Sequence, residues 1–147
     1  VVAHFIAFVC LLFSGALAAV PAVSVTSVAF PDQDADAGDV GGTVSWQPPA
    51  DTSQVTHYIV AFAESLSGLN EWIVASSVPV GTNAVSFGPG FPKGPKTHLL
   101  VYTANVDGRQ AAGTATGIPL VDLDVSVSGI AFTDLDLDVG EVGGVVG

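Results

Sequence analysis

Apolar and polar positions alternate along most of the chain after its N-terminal segment. Val23, Val25, Val28 and Phe30 recur at close to every second residue, as in a strand with one buried face. Thr43-Val44-Ser45-Trp46 alternates in the same way until Gln47-Pro48-Pro49 stops it. Residues 57–62 place Tyr58, Val60 and Phe62 on one face. Residues 72–75 and 84–87 are shorter apolar runs, Leu99, Val101 and Thr103 mark the clearest strand, and residues 110–116 form a weaker last one. Turn formers separate them: residues 64–70, Asn105-Val-Asp107-Gly108, and residues 88–95. This last segment is expected to be a crossover, because its prolines donate no ladder bond and its glycines pack nothing. Seven strands at short spacing predict an all-β fold, a seven-stranded antiparallel sandwich of two sheets.

One stretch occurs twice. Asp32-Gln-Asp34-Ala-Asp36-Ala-Gly38-Asp39-Val-Gly41-Gly42 returns as Asp134-Leu-Asp136-Leu-Asp138-Val-Gly140-Glu141-Val-Gly143-Gly144, and the match runs without a gap from residues 23–44 to residues 125–146. Its period of about a hundred residues is the size of a small domain rather than of a solenoid repeat. The chain therefore divides into residues 1–19, a module over residues 20–119, and the truncated start of a second copy over residues 120–147. That start holds a first strand, the acidic loop and the opening of a second strand. It cannot bury a face of its own and is expected to be trimmed first by a protease.

The order Val44-Ser-Trp46-Gln-Pro48-Pro49, Tyr58-Ile-Val60, Trp72 and Leu99-Leu-Val101-Tyr-Thr-Ala-Asn105-x-x-Gly108 resembles the fibronectin type III domain over about residues 22–119. The resemblance implies an immunoglobulin-like sandwich in which Trp46, Tyr58, Val60, Leu99 and Val101 fill the core and the Asn-x-x-Gly turn joins the last two strands. One departure matters. Thr97 stands where the family carries a Tyr at the start of the sixth strand, so the tyrosine corner is expected to be missing, at a cost in stability rather than in fold.

Composition agrees with strands and adds a strong charge. Fourteen acids stand against three basic residues, Lys93, Lys96 and Arg109, for a formal net charge of −11. Such a field repels phosphate backbones and excludes nucleic acid as a partner; it also keeps an apolar, glycine-rich chain soluble. Residues 1–19 are apolar and end in small residues, with Ala16-Leu17-Ala18 as an A-x-A cleavage site, so they read as a secretory signal peptide. A transmembrane anchor is the rival reading, but the strongly apolar run falls short of the ~20 residues a span needs. Cys10, the only cysteine, lies in that segment, so the module must hold together without a disulfide. The expected location is secreted or cell-surface.

The acidic loop is the one place where chemistry is concentrated. Alternate Asp residues in an extended segment put carboxylates on one side, within reach of one hard cation, and calcium is the candidate. The pattern is not an EF-hand: Gly38 is one place late, Thr43 stands where the twelfth-position Glu belongs, and the flanks are strands. If the loop lies at the pole where the last strand exits, Asp122 and Asp124 join it, which makes Asp32, Asp34, Asp36, Asp39, Asp122 and Asp124 the candidate calcium ligands of an interdomain site. The competing reading is a solvated turn whose charges protect a sheet edge.

No catalytic residues are expected. The module has no cysteine, and its histidines, His57 and His98, fall at opposite ends of an antiparallel strand pair. Asp107-Gly108-Arg109 reads as a turn, and Gly88-Pro-Gly90 lacks the Lys-Ser/Thr of a phosphate loop. The expected function is a non-catalytic extracellular structural or adhesion module from a tandem array, with calcium as a candidate stiffener. Its partners are neighbouring modules, an extracellular protein or a glycan, with no membrane insertion beyond the N-terminal segment. The alternative is an accessory module, a spacer or carbohydrate binder, of a larger secreted enzyme. Sugar binding would need exposed aromatics, for which Trp72 and Tyr102 are the candidates, Trp72 being read as core.

Overall fold

The computed structural model describes residues 19–125 together with Ser128, Gly129, Ala131 and Leu135. The expected signal segment, apart from Ala19, and the body of the second copy lie outside the described residues. Among the described residues eight strands follow in order: β1 (Thr26–Ala29), β2 (Asp39–Gln47), β3 (His57–Ala63), β4 (Trp72–Pro79), β5 (Ala84–Pro92), β6 (His98–Asn105), β7 (Gly108–Arg109) and β8 (Thr116–Pro119). They form two antiparallel sheets, a three-stranded one in the order β1-β2-β5 and a five-stranded one in the order β4-β3-β6 with β7 and β8 both paired to β6. Among the described residues the only helix is a 3-10 turn, Ala112–Thr114. The fold is an all-β sandwich.

Alternation explains the core. Val25, Val40, Val44, Trp46 and Phe87 from one sheet meet Tyr58, Val60, Phe62, Leu99 and Val101 from the other, all buried. Each large apolar side chain withdrawn from water here contributes about 1.5–3 kcal/mol. Trp46 and Tyr58 pack edge to face at 5.3 Å, and Phe62 meets Phe87 at 5.6 Å and Phe91 at 5.9 Å. The interval of three between Val25 and Val28 also has a cause. The β1–β2 register shifts between Thr26 and Ala29, and Ser27 takes a positive φ of 52°; this bulge absorbs one residue and returns Val28 to the inner side.

Three expectations need correction. Residues 88–95 are not simply a crossover, because β5 continues through Gly88, Pro89, Gly90, Phe91 and Pro92. It is an edge strand, where a proline forfeits no ladder bond on its open side, and Gly88, Pro89 and Gly90 bulge opposite Gly41 between the pairs Val40↔Phe91 and Gly42↔Phe87. The last strand, expected over residues 110–116, is instead β7 and β8 separated by the 3-10 turn. Gln110 bridges the break: its backbone N–H donates to Thr103 O at 3.0 Å, and its Oε1 accepts from the Thr103 N–H at 2.8 Å. One residue thus supplies both sides of a ladder pair, which keeps the buried Thr103 amide satisfied.

The third correction concerns Tyr102, which is fully buried rather than an exposed aromatic. The outward face of β3 and β6 carries a second apolar cluster of Ala61, Ala63, Leu100 and Tyr102, against which Ile59, Ala112 and Ala115 pack. Tyr102 OH donates to Glu71 at 2.7 Å, and the Arg109 guanidinium lies 4.1 Å from the Tyr102 ring centre while donating to both Glu71 oxygens. Arg109 is therefore occupied within the fold. At the start of β6, Thr97 Oγ1 donates to Glu64 O at 3.1 Å, a local tie in the place where the resemblance implies a tyrosine.

Candidate functional site

The acidic loop between β1 and β2 lies beside the exit of β8, as the candidate interdomain pole requires. Leu120, buried, is fixed by its N–H to Thr97 O at 2.8 Å, and the connector then turns across the loop. The chain folds here as successive Asx turns: the Asp34 N–H donates to Asp32 Oδ1 at 3.0 Å and the Asp36 N–H to Asp34 Oδ1 at 3.3 Å. These bonds draw the carboxylates back onto the chain. The expected row of carboxylates on one side of an extended segment is not what forms.

Each inner carboxylate has a separate assignment. Asp32 Oδ1 also accepts the Gly41 N–H at 2.8 Å, and its Oδ2 accepts the Leu123 N–H at 2.8 Å. Asp34, 7% exposed, accepts the Gly90 N–H and so caps the bulge in β5. Asp122 accepts the Gly38 N–H at 2.9 Å and pairs with Lys93 Nζ at 3.4 Å. Asp36 and Asp124 are exposed, Asp39 is half-buried at the start of β2, and none of the three takes part in a side-chain hydrogen bond among the described residues. Among those residues no group of three His, Cys, Asp or Glu side chains is gathered so as to hold a metal ion.

The electrostatics follow the bonds. Burial alone would raise the Asp32 carboxyl, but the N–H groups of Gly41, Leu123 and Asp34 outweigh it and hold the group below its ordinary value. Burial would likewise raise Glu71, and the Arg109 and Tyr102 hydrogen bonds overcome it, leaving that carboxyl lowered too. Tyr102 is pushed up to about 12, first by burial and then by the neighbouring Glu71 carboxylate.

Gly42 lets the loop close. Its φ is +126°, and a Cβ there would lie 2.6 Å from Pro31 O. A groove of about 320 Å³ nearby is lined by Gln33, Gly41, Gly42, Thr43, Ser86, Phe87 and Pro89. None of these side chains is an ionisable base, and the hydroxyls of Thr43 and Ser86 are paired with each other at 2.8 Å. His57 and His98 occupy opposite ends of the β3–β6 pair, opposite Ala104 and Ala63. Trp72 is 42% exposed rather than core, stacked on Phe91 at 5.6 Å.

Sequence reasoning gathered the acidic pole but missed its donors. Lys93 and the backbone N–H groups of Gly38, Gly90 and Leu123 take up the oxygens that a cation would otherwise use. The signal was present in the spacing itself, since Asp at every second position favours consecutive Asx turns as readily as a ligand row. No protein-family model matches the chain, and no curated protein matches it.

Proposed function

We propose that this chain carries a fibronectin type III-like module that serves as a non-catalytic structural or adhesion element in a tandem extracellular array. One observation carries the reading: the segment that leaves β8 and opens the second copy is bound to the acidic pole of the first, through Leu123 N–H to Asp32, Gly38 N–H to Asp122, and Val125 N–H to Ala35 O at 3.3 Å. The repeated loop is thus spent on the joint between copies. The burial of Trp46, Tyr58, Val60, Leu99 and Val101 supports the family likeness, and the apolar N-terminal segment supports secretion or display at the cell surface.

Calcium remains part of the proposal as a stiffener of this pole, acting through Asp36, Asp39 and Asp124, whose side chains make no hydrogen bond among the described residues. The complete transcript tests the array: further copies of D-x-D-x-D-x-G-[D/E]-x-G-G support it, and a catalytic domain in their place overturns it. Melting with and without millimolar calcium tests the ion. A carbohydrate-binding accessory module is the second reading, favoured by the exposed Trp72 on its Phe91 stack; tryptophan fluorescence titrated with oligosaccharides decides it.

A further inference from the structure

We infer that the acidic pole is a docking surface for the leading segment of a following copy, and that this segment is shared: its backbone belongs to the module before it and its apolar side chain to the module after it. The inference rests on the tandem reading. Its starting point is the equivalence of Val23 and Val125, which makes Ala19, Val20, Pro21 and Ala22 the counterparts of Val121, Asp122, Leu123 and Asp124.

In the first copy this leading segment is tied to its own module at the far pole. Pro21 is fully buried, Ala19 O accepts the Asn105 side-chain amide at 2.8 Å, and Val20 Cγ1 lies 3.2 Å from where a Cβ on Gly108 would stand. The second leading segment departs from the first where the acidic pole makes its bonds. Pro21 has no N–H, whereas Leu123 has one and donates it to Asp32 Oδ2. Val20 has no carboxylate, whereas Asp122 has one and holds both the Gly38 N–H and Lys93. The first leading segment lacks both groups, and the second, which follows a module, has both.

The side chains complete the argument. Val121 and Leu123 are 67% and 43% exposed, so the first module binds the backbone of the connector and leaves its apolar side chains uncovered. Leu123 stands where Pro21 is buried, ready for the core of a following copy. The connector is then tied at Leu120, Asp122, Leu123 and Val125, and consecutive modules meet with an orientation fixed by hydrogen bonds within the chain.

Amide hydrogen exchange on the chain in calcium-free buffer tests this, with Leu123→Pro as the variant because it deletes the one N–H and reproduces the residue of the first copy. In the unaltered chain the Leu123 and Val125 amides are expected to be protected. In the variant, protection at Val125 and Gly38 falls about tenfold or more and proteolysis within residues 120–125 accelerates, while the melting temperature of the sandwich holds, since Leu123 lies outside its core. Leu123 and Val125 amides that exchange at the unstructured rate in the unaltered chain would overturn the inference, as would a Leu123→Pro chain with unchanged protection at Val125 and Gly38. The array reading fails separately, by the absence of further copies in the transcript.

Discussion

Replacing Gly42 by Ala probes the closure of the acidic loop more sharply than removing any one carboxylate. An L-residue held at positive φ costs about 1–2 kcal/mol from the clash of Cβ with its own backbone. Here the new Cβ also meets Pro31 O at 2.6 Å, and that oxygen belongs to backbone, so it cannot swing aside as a side chain would. Relief requires the loop to move, and movement strains the Gln33 N–H to Gly41 O bond at 2.8 Å and the Gly41 N–H to Asp32 bond at 2.8 Å, each contributing about 1 kcal/mol net. The expected loss is about 3–4 kcal/mol. For a domain of this size that corresponds to a fall of about 15–25 °C in melting temperature. Gly38→Ala is the control, because Gly38 has φ +100° but nothing within 4 Å of its Cβ position. It carries only the conformational part, about 1–2 kcal/mol. Thermal unfolding followed by circular dichroism, with urea midpoints alongside, measures both. If Gly42→Ala melts within a few degrees of Gly38→Ala, the close approach of Gly42 to Pro31 is not a constraint and the reasoning fails.

Further outcomes follow from the buried hydroxyls and the shifted acids. Tyr58 OH is fully enclosed without a hydrogen-bond partner among the described residues, so Tyr58→Phe is expected to be neutral or to stabilise slightly, whereas Tyr102→Phe loses its bond to Glu71 and costs about 1–2 kcal/mol; urea midpoints compare them. Burial raises Tyr58 above 10.0 and raises Tyr102 to about 12, and a raised folded pKa gives stability that is intact below the unfolded value and lost as pH climbs through the folded one. In a Tyr58→Phe chain, where Tyr102 is the one phenol left, phenolate absorbance is therefore expected to rise together with unfolding near pH 12. Glu71 is lowered from 4.5, so its contribution is complete above that pH and disappears as pH falls through the lower folded value; Glu71→Gln should flatten the acid limb of the stability curve and cost about 1–2 kcal/mol at neutral pH.

The sandwich was legible wherever one face of a strand is buried and the other is not. Tyr58, Val60 and Phe62 alternate on β3, and Leu99 and Val101 do so on β6, so period two located the inter-sheet core without any structure. The burial of two aromatics, Tyr102 and Trp72, differs from the expectation. Tyr102 lies on the outward face of β6, and its burial comes from Ala112, Ala115 and the Glu71–Arg109 pair, contacts that no strand period encodes. Trp72 begins an edge strand, where an aromatic side chain reaches past the end of the core. Prolines at 89 and 92 hid the second half of β5, because a proline on an edge strand reads the same as one in a loop.

The acidic pole was half legible. Its residues and its position beside Asp122 and Asp124 followed from the repeat and the family likeness, but the donors are mostly backbone N–H groups, on which side-chain identity is silent. Gly90 illustrates the difficulty: its amide is free only because β5 bulges there, and Asp34 is buried only because that amide is free.

Backbone relaxation of residues 120–125, measured by NMR in calcium-free buffer, bears most directly on the claim that the acidic pole holds the connector by its own hydrogen bonds. Order parameters of about 0.85, equal to those of β3 and β6, are the expected result. Values of about 0.6 or lower, or values that rise to the strand level only when calcium is added, would contradict it.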